Sequence, residues 1–73
     1  MREQLLTALR SYYVGNIEKH KMNIENLIMN NVGVAEHPDY MDTVSKEVET
    51  LAKWDEQLQM LDKHFSRVFT ENS

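Results

Sequence analysis

Three histidines, His20, His37 and His64, are the side chains of this sequence that most readily bind metal ions. A metal site on helices needs ligands three or four residues apart, or ligands that meet from facing helices. No two of these histidines have that spacing, and the chain contains no cysteine that could supply a thiolate. The sequence therefore predicts neither a metal site nor any other cofactor.

Paired acidic side chains are the second candidates, because two carboxylates can serve as general acid and general base. Asp55 and Glu56 are adjacent, and Glu47 and Glu49 are two residues apart. Catalysis would require a pocket that shifts their pKa values, and the pattern described below offers no obvious pocket. The chain also lacks a glycine-rich phosphate loop, a nucleophile elbow and a helical HExxH pattern. We therefore expect that the protein is not an enzyme.

Basic residues cluster only around Lys19, His20 and Lys21, with Arg10 in the same half of the chain. Residues 1–31 carry four basic and three acidic side chains (+1), whereas the remainder carries four basic and nine acidic ones (−5). Nucleic-acid binding depends on clustered Lys and Arg, and so small a cluster is more typical of a solvated helix face. An accessory factor that uses Arg10, Lys19 and Lys21 on nucleic acid is the alternative function, not the leading one.

The first half of the chain predicts a helix from about residue 2 to about residue 31. Its apolar residues recur at steps of three and four, which places them on one helix face. Gly15 interrupts this pattern at a cost of about 1 kcal/mol relative to alanine. We interpret it as a point of close helix approach or a bend, with a break capped by Asn16 as the alternative. The face comprises Leu6, Leu9, Tyr13, Ile17, His20, Ile24, Leu27 and Ile28, and Leu5, Ala8, Tyr12 and Val14 widen it.

The second half predicts another helix, from about residue 39 to about residue 69. Two consecutive steps of three, from Val48 through Leu51 to Trp54, argue against a strict heptad repeat. The opposite face is strongly charged, as expected for a helix with one side in water. The apolar stripe comprises Met41, Val44, Val48, Leu51, Trp54, Leu58, Leu61, Phe65 and Val68.

The segment between the two patterns, about residues 32–38, combines a stop signal and a start signal for helices. Gly33 suits the left-handed position that commonly follows a helix. Pro38 suits a first helical turn, and Asp39 either caps the second helix or places its charge near the helix dipole. So short a connection usually joins antiparallel neighbours. The predicted fold is all-α, a single domain over residues 1–73 that forms an antiparallel two-helix hairpin; one long kinked helix is the alternative.

The hairpin should associate, because two helices leave part of each apolar stripe uncovered and so small a core rarely suffices alone. The simplest assembly is a two-fold homodimer that forms a four-helix bundle. The polar His20 in the first stripe either fixes the register, with Asp55 of a partner helix as a possible contact, or lies at the boundary with its tip in water. The expected self-association or partner surface comprises Leu6, Leu9, Tyr12, Tyr13, Ile17, His20, Ile24, Leu51, Trp54, Leu58, Leu61, Phe65 and Phe69.

The sequence gives no sign of a membrane or secreted protein. No apolar run approaches the roughly 18 residues that a membrane span needs. The first residues, Met1 to Gln4, lack the charged-then-apolar layout of a secretion signal. We therefore expect a cytoplasmic protein without membrane contact.

Residues 32–39 (VGVAEHPD), followed by the acidic helical stretch 51–58 (LAKWDEQL), resemble a group of small helical proteins of T4-like tailed phages, including marine ones. The similarity covers the second half of the chain and continues more weakly around residues 16–20. The group has no assigned activity, so the resemblance transfers no functional residues. It implies a phage accessory protein that acts in the host cytoplasm. The expected function is thus a non-enzymatic, self-associating interaction module that binds a host or phage protein.

Overall fold

The computed structural model describes residues 1–30 and 38–65, and these residues form two α-helices. Helix α1 spans Arg2–Met29 and helix α2 spans Pro38–Phe65, each with 28 residues. The described part of the chain contains no strand. The predicted all-α hairpin is therefore confirmed over these residues.

Helix α1 ends at Met29, two residues before the expected end, because Asn30 closes its last turn. The Asn30 backbone N–H donates a hydrogen bond to the Asn26 carbonyl oxygen at 3.0 Å. The Asn30 side-chain amide donates to the same oxygen, also at 3.0 Å. The first is the last i→i−4 bond of the helix, and the second gives the same carbonyl oxygen an additional donor.

Helix α1 is continuous through Gly15, so the alternative of a break at this position is wrong. Asn16 does not cap a new helix; its side-chain amide donates to the Tyr12 carbonyl oxygen at 2.9 Å within the same helix. A Cβ atom built on Gly15 would meet no atom of α2 within 4 Å. Gly15 therefore does not allow a close approach of α2, and its face of α1 is open.

Helix α2 begins at Pro38, where the fixed φ and the missing N–H of proline suit the first helical position. Asp39 is consequently the second helical residue, and its carboxylate acts on the helix dipole instead of serving as the cap. Lys63 and His64 occupy the last described turn, near the negative end of the dipole. Gly33, the cap position of α2 and residues 66–69 of the predicted second helix, including Phe69, lie outside the described residues.

The two helices pack antiparallel, as shown by contacts in which the residue number falls along α2 as it rises along α1. Arg10 contacts Asp62, His20 contacts Glu47, and the Tyr40 hydroxyl donates to the carbonyl oxygen of Leu27. The paired numbers sum to 10 + 62 = 72, 20 + 47 = 67 and 27 + 40 = 67. The sums vary by only a few residues between the connection and the termini, so the two helices run antiparallel over their described length.

The seam is the set of residues along which the two helices face each other. On α2 its residues follow one another at alternating steps of four and three, because Glu47 takes the place that the apolar pattern gave to Val48. Glu47 is half-buried, whereas Val48 remains 49% exposed. Two asparagines of α1, Asn16 and Asn23, are likewise half-buried. The seam of α2 comprises Tyr40, Val44, Glu47, Leu51, Trp54, Leu58, Leu61 and Phe65.

The core of the hairpin is very small. Among the described residues only Leu61, at 5% exposure, is fully buried. The other seam residues keep part of their surface in water, because each helix covers only one side of its neighbour. The chain extends over 51 × 20 × 17 Å, so no residue lies far from a surface.

Candidate interaction surface

A polar network lies in the middle of the seam, where His20 of α1 meets Glu47 of α2. The His20 Nδ1 atom is 2.6 Å from the Glu47 Oε2 atom, and the Asn23 side-chain amide donates to Oε1 at 3.3 Å. The side chains of His20 and Glu47 are 13% and 25% exposed. An ionised carboxylate can only accept, so Nδ1 carries the proton and donates it to Glu47. The network links the two helices at one defined register.

His20 therefore contacts Glu47 of its own chain, because the imidazole N–H needs an acceptor and the Glu47 carboxylate offers one. The suggested contact with Asp55 of a partner helix is not needed to satisfy this nitrogen. Of the two interpretations of His20, its low exposure and its bond across the seam favour a residue that fixes the register.

The hydrogen bond from His20, followed by that from Asn23, lowers the pKa of Glu47 below its ordinary value. A carboxyl with a lower pKa in the folded state stabilises the fold above its unfolded pKa, about 4.3. The stabilisation by Glu47 is lost as the pH falls from the pKa of the unfolded state to below the pKa of Glu47 in the folded state.

We predict that the stability difference between the parent and Glu47→Gln narrows as the pH falls from 6 toward roughly 3. Glutamine keeps an acceptor for His20 but cannot titrate, so the difference isolates the charge of Glu47. Urea unfolding at a series of pH values measures it. Glu49→Gln is the control, because Glu49 lies on an exposed part of α2. The difference in unfolding free energy between the parent and Glu49→Gln should not narrow in this way over the same pH range. A difference for Glu47→Gln that stays constant over this pH range would contradict the prediction.

An aromatic cluster lies on one side of the seam, between the polar network and the termini. The Trp54 ring packs edge to face against Tyr12, with ring centroids 5.5 Å apart, and lies 6.0 Å from Tyr13. The Lys53 ammonium is 5.1 Å from the centroid of the Trp54 ring, within range of a cation–π contact. The Trp54 Nε1 atom is buried without a hydrogen-bond partner. The cluster joins the helices mainly through ring contacts.

A bidentate ion pair links the two helices near the termini. The Arg10 Nε and Nη2 atoms donate to the two carboxylate oxygens of Asp62 at 3.0 and 3.1 Å. This hydrogen bonding raises the pKa of the Arg10 guanidinium above its ordinary value. Both side chains are more than a third exposed, so the pair contributes about 1 kcal/mol or less. Its two-point geometry nevertheless adds to the register set by His20 and Glu47.

A shallow groove of about 520 Å³ runs beside the end of the seam. Its apolar floor includes Leu9, Tyr13 and Leu61, and its rim carries charged or polar groups such as Lys53 and His64. The groove is open to solvent along its length. It resembles the surface left by an uncovered helix pair more than an enclosed ligand pocket.

The predicted surface residues fall into three groups in the structure. Leu61 is buried, whereas Tyr12 and Phe65 are exposed at 58% and 43%. Phe69 lies outside the described residues. The remaining predicted residues are half-buried in or beside the seam: Leu6, Leu9, Tyr13, Ile17, His20, Ile24, Leu51, Trp54 and Leu58.

Most of the large apolar side chains that remain exposed to solvent are not among the residues predicted for self-association or partner binding. An apolar stripe marks the seam well, but it does not identify the side chains that two helices leave uncovered. These exposed residues include Met1, Leu5, Met22, Ile28, Met29, Met41, Val48 and Met60, with exposures of 42–92%. Ile28, Met41 and Val48 belong to the predicted stripes and are nevertheless exposed, whereas the others lie off those stripes.

The described residues contain no group of three or more His, Asp or Glu side chains placed to hold a metal ion. Neither α1 nor the described part of α2 is long and apolar enough to cross a membrane. No family model, no curated protein and no solved structure matches this chain.

Proposed function

We propose that the protein is a non-enzymatic interaction module that acts by self-association, most simply as a homodimer that forms a four-helix bundle. The observation that carries the proposal is the imbalance between buried and exposed apolar side chains. Among the described residues, two helices of 28 residues bury Leu61 alone, while ten large apolar side chains are 42–92% exposed. Association covers such surface, which is worth about 25 cal/mol per Å² of apolar area removed from water.

The dimensions of the hairpin suit a partner that lies along its length. One broad side measures 51 × 20 Å, or about 1,000 Å². A standard stable interface buries about 800 Å² per partner. One side of the hairpin is therefore large enough for an interface of that size, and a second hairpin laid on it gives a four-helix assembly.

The alternative, an accessory factor on nucleic acid, finds less support in the geometry of its three basic residues. Arg10 is committed to both carboxylate oxygens of Asp62. The Lys21 ammonium is 3.6 Å from the Glu18 carboxylate on the same helix. A phosphate backbone would have to compete with these acids, and the net charge of −4 opposes the approach.

The resemblance to small proteins of T4-like tailed phages suggests where such a module acts. We propose a phage accessory protein in the host cytoplasm that binds a host or phage protein. In this scheme the assembled bundle presents its outer surface to that partner. A pull-down from host lysate that survives nuclease treatment separates this role from the nucleic-acid alternative.

We predict a dimer at micromolar concentration, with a mass of 2 × 8.6 = 17.2 kDa. Its melting temperature should rise with protein concentration, because folding is then linked to association. Size exclusion with light scattering measures the mass, and thermal melts from about 1 to 100 µM measure the linkage. A folded 8.6 kDa monomer with a melting temperature independent of concentration would reject self-association.

A further inference from the structure

Helix α1 carries a second stripe of side chains beside the seam, which α2 reaches at the Tyr12 ring through Trp54. Leu5, Ala8, Tyr12 and Gly15 follow one another at steps of 3, 4 and 3, so they share one helix face. At about 100° per residue this face lies roughly a third of a turn from the centre of the seam. Leu5 and Tyr12 are 66% and 58% exposed, and Ala8 and Gly15 are also exposed.

Gly15 has no function inside the hairpin that would explain its place in a long helix. Glycine in a helix interior costs about 1 kcal/mol relative to alanine. A Cβ at this position would meet nothing within 4 Å, so α2 does not require the small residue. A glycine in open space at the end of an exposed apolar stripe suits a helix that approaches from outside the chain.

The order of large and small residues makes this stripe complementary to itself. If two copies of α1 pack antiparallel about a two-fold axis near residue 10, paired residue numbers sum to about 20. Leu5 then lies opposite Gly15 of the partner subunit, and Tyr12 lies opposite Ala8 of the partner subunit. Each large side chain faces a small one, which is how helices interdigitate at close distance.

The charges of the two helices also favour contact through α1. Residues 2–29 carry four basic and three acidic side chains (+1), whereas residues 38–65 carry three basic and seven acidic ones (−4). Contact between two copies of α1 leaves the acidic helices on the outside. Contact between two copies of α2 would bring like charges together, which lowers affinity.

We propose that a second copy of this chain docks on the stripe of Leu5, Ala8, Tyr12 and Gly15, with the two α1 helices antiparallel. The inference rests on the proposed self-association and specifies its interface. The two α2 helices then flank a central α1 pair. The aromatic cluster lies at the edge of the contact, because Tyr12 belongs to both.

The test introduces bulk at Gly15 and then removes it from the opposing position. A Cβ at Gly15 would meet no atom of α2 within 4 Å, so Gly15→Leu should retain its helical signal by circular dichroism. Its dimer should dissociate at least about 10-fold more readily than the parent dimer, a change of about 1.4 kcal/mol. The double variant Leu5→Ala/Gly15→Leu exchanges large for small, so its dissociation constant should return to within about 3-fold of the parent value.

Thr7→Leu is the matched control, because it adds the same side chain to an exposed position away from both the stripe and the seam. It should leave the dissociation constant unchanged. Sedimentation or light scattering across a dilution series measures all four proteins. A dimeric parent with an equally dimeric Gly15→Leu variant would reject this interface while self-association stands. Failure of the double variant to recover would reject the antiparallel pairing, and a monomeric parent would reject both proposals.

Discussion

Replacing Trp54 with alanine should reduce the free energy of unfolding by about 2–4 kcal/mol, among the largest losses expected from any single substitution in this chain. The indole is the centre of the aromatic cluster, within 5.5 Å of the Tyr12 ring and 6.0 Å of the Tyr13 ring. Alanine removes both contacts and the Lys53 cation–π contact at once. The hairpin has little other core to compensate, because Leu61 is the only fully buried residue among those described. Urea unfolding at fixed protein concentration measures the loss.

Trp54→Phe is the matched control for the ring contacts. Phenylalanine keeps an aromatic face against the two tyrosines and removes the indole N–H, which is buried without an acceptor. An unsatisfied donor disfavours the folded state, so its removal offsets part of the lost area. The variant should lose less than about 1.5 kcal/mol. An equal loss for Trp54→Phe and Trp54→Ala would contradict the assignment of this stability to the ring contacts with Tyr12 and Tyr13.

The hairpin could be predicted because its signals are local and redundant. Apolar residues at steps of three and four indicate each helix, and Pro38 with Asp39 marks the start of the second. The sequence leaves two alternatives at Gly15, a continuous helix and a break. The helix is continuous, because the penalty of one glycine is small compared with the packing of a 28-residue helix.

The detailed register could not be predicted, because it is set by polar residues that hydrophobicity does not detect. A pattern based on apolar residues selects Val48, whereas the structure places Glu47 in the seam. The signal that could have identified Glu47 is its spacing, since it restores the 4–3 alternation between Val44 and Leu51. Its partner His20 was recognised as unusual, but the distance between the two residues is a tertiary property.

The outer stripe of α1 illustrates a second limit of the sequence. In the sequence, Leu5, Ala8 and Tyr12 simply widen one apolar band. Only the position of α2 divides that band into a covered seam and an open face, because both have the same helical period. The significance of Gly15 likewise depends on knowing that no atom of α2 lies within 4 Å of the missing Cβ.

Replacing His20 with leucine should destabilise the hairpin by about 1–3 kcal/mol, although it makes the seam more apolar. The Glu47 carboxylate then loses its 2.6 Å donor and keeps only the longer bond from Asn23. A partly buried charge without its partner is costly, because neither water nor the protein fully solvates it. Chemical unfolding of the variant measures the loss, and Glu49→Leu, at an exposed site, controls for added apolar bulk.

Replacing both residues, as His20→Leu/Glu47→Leu, should have the opposite effect and raise the free energy of unfolding by about 1–3 kcal/mol relative to the parent. No charge is left without a partner, and two apolar side chains fill the middle of the seam. The cost should appear in specificity, because the removed network defines one register between the helices, as polar residues do in coiled coils. The double variant should therefore melt higher while light scattering detects more than one oligomeric species. A double variant as unstable as His20→Leu would instead mean that the network contributes net stability, and a single sharp mass would mean that the Arg10–Asp62 pair and the aromatic cluster suffice to fix the register.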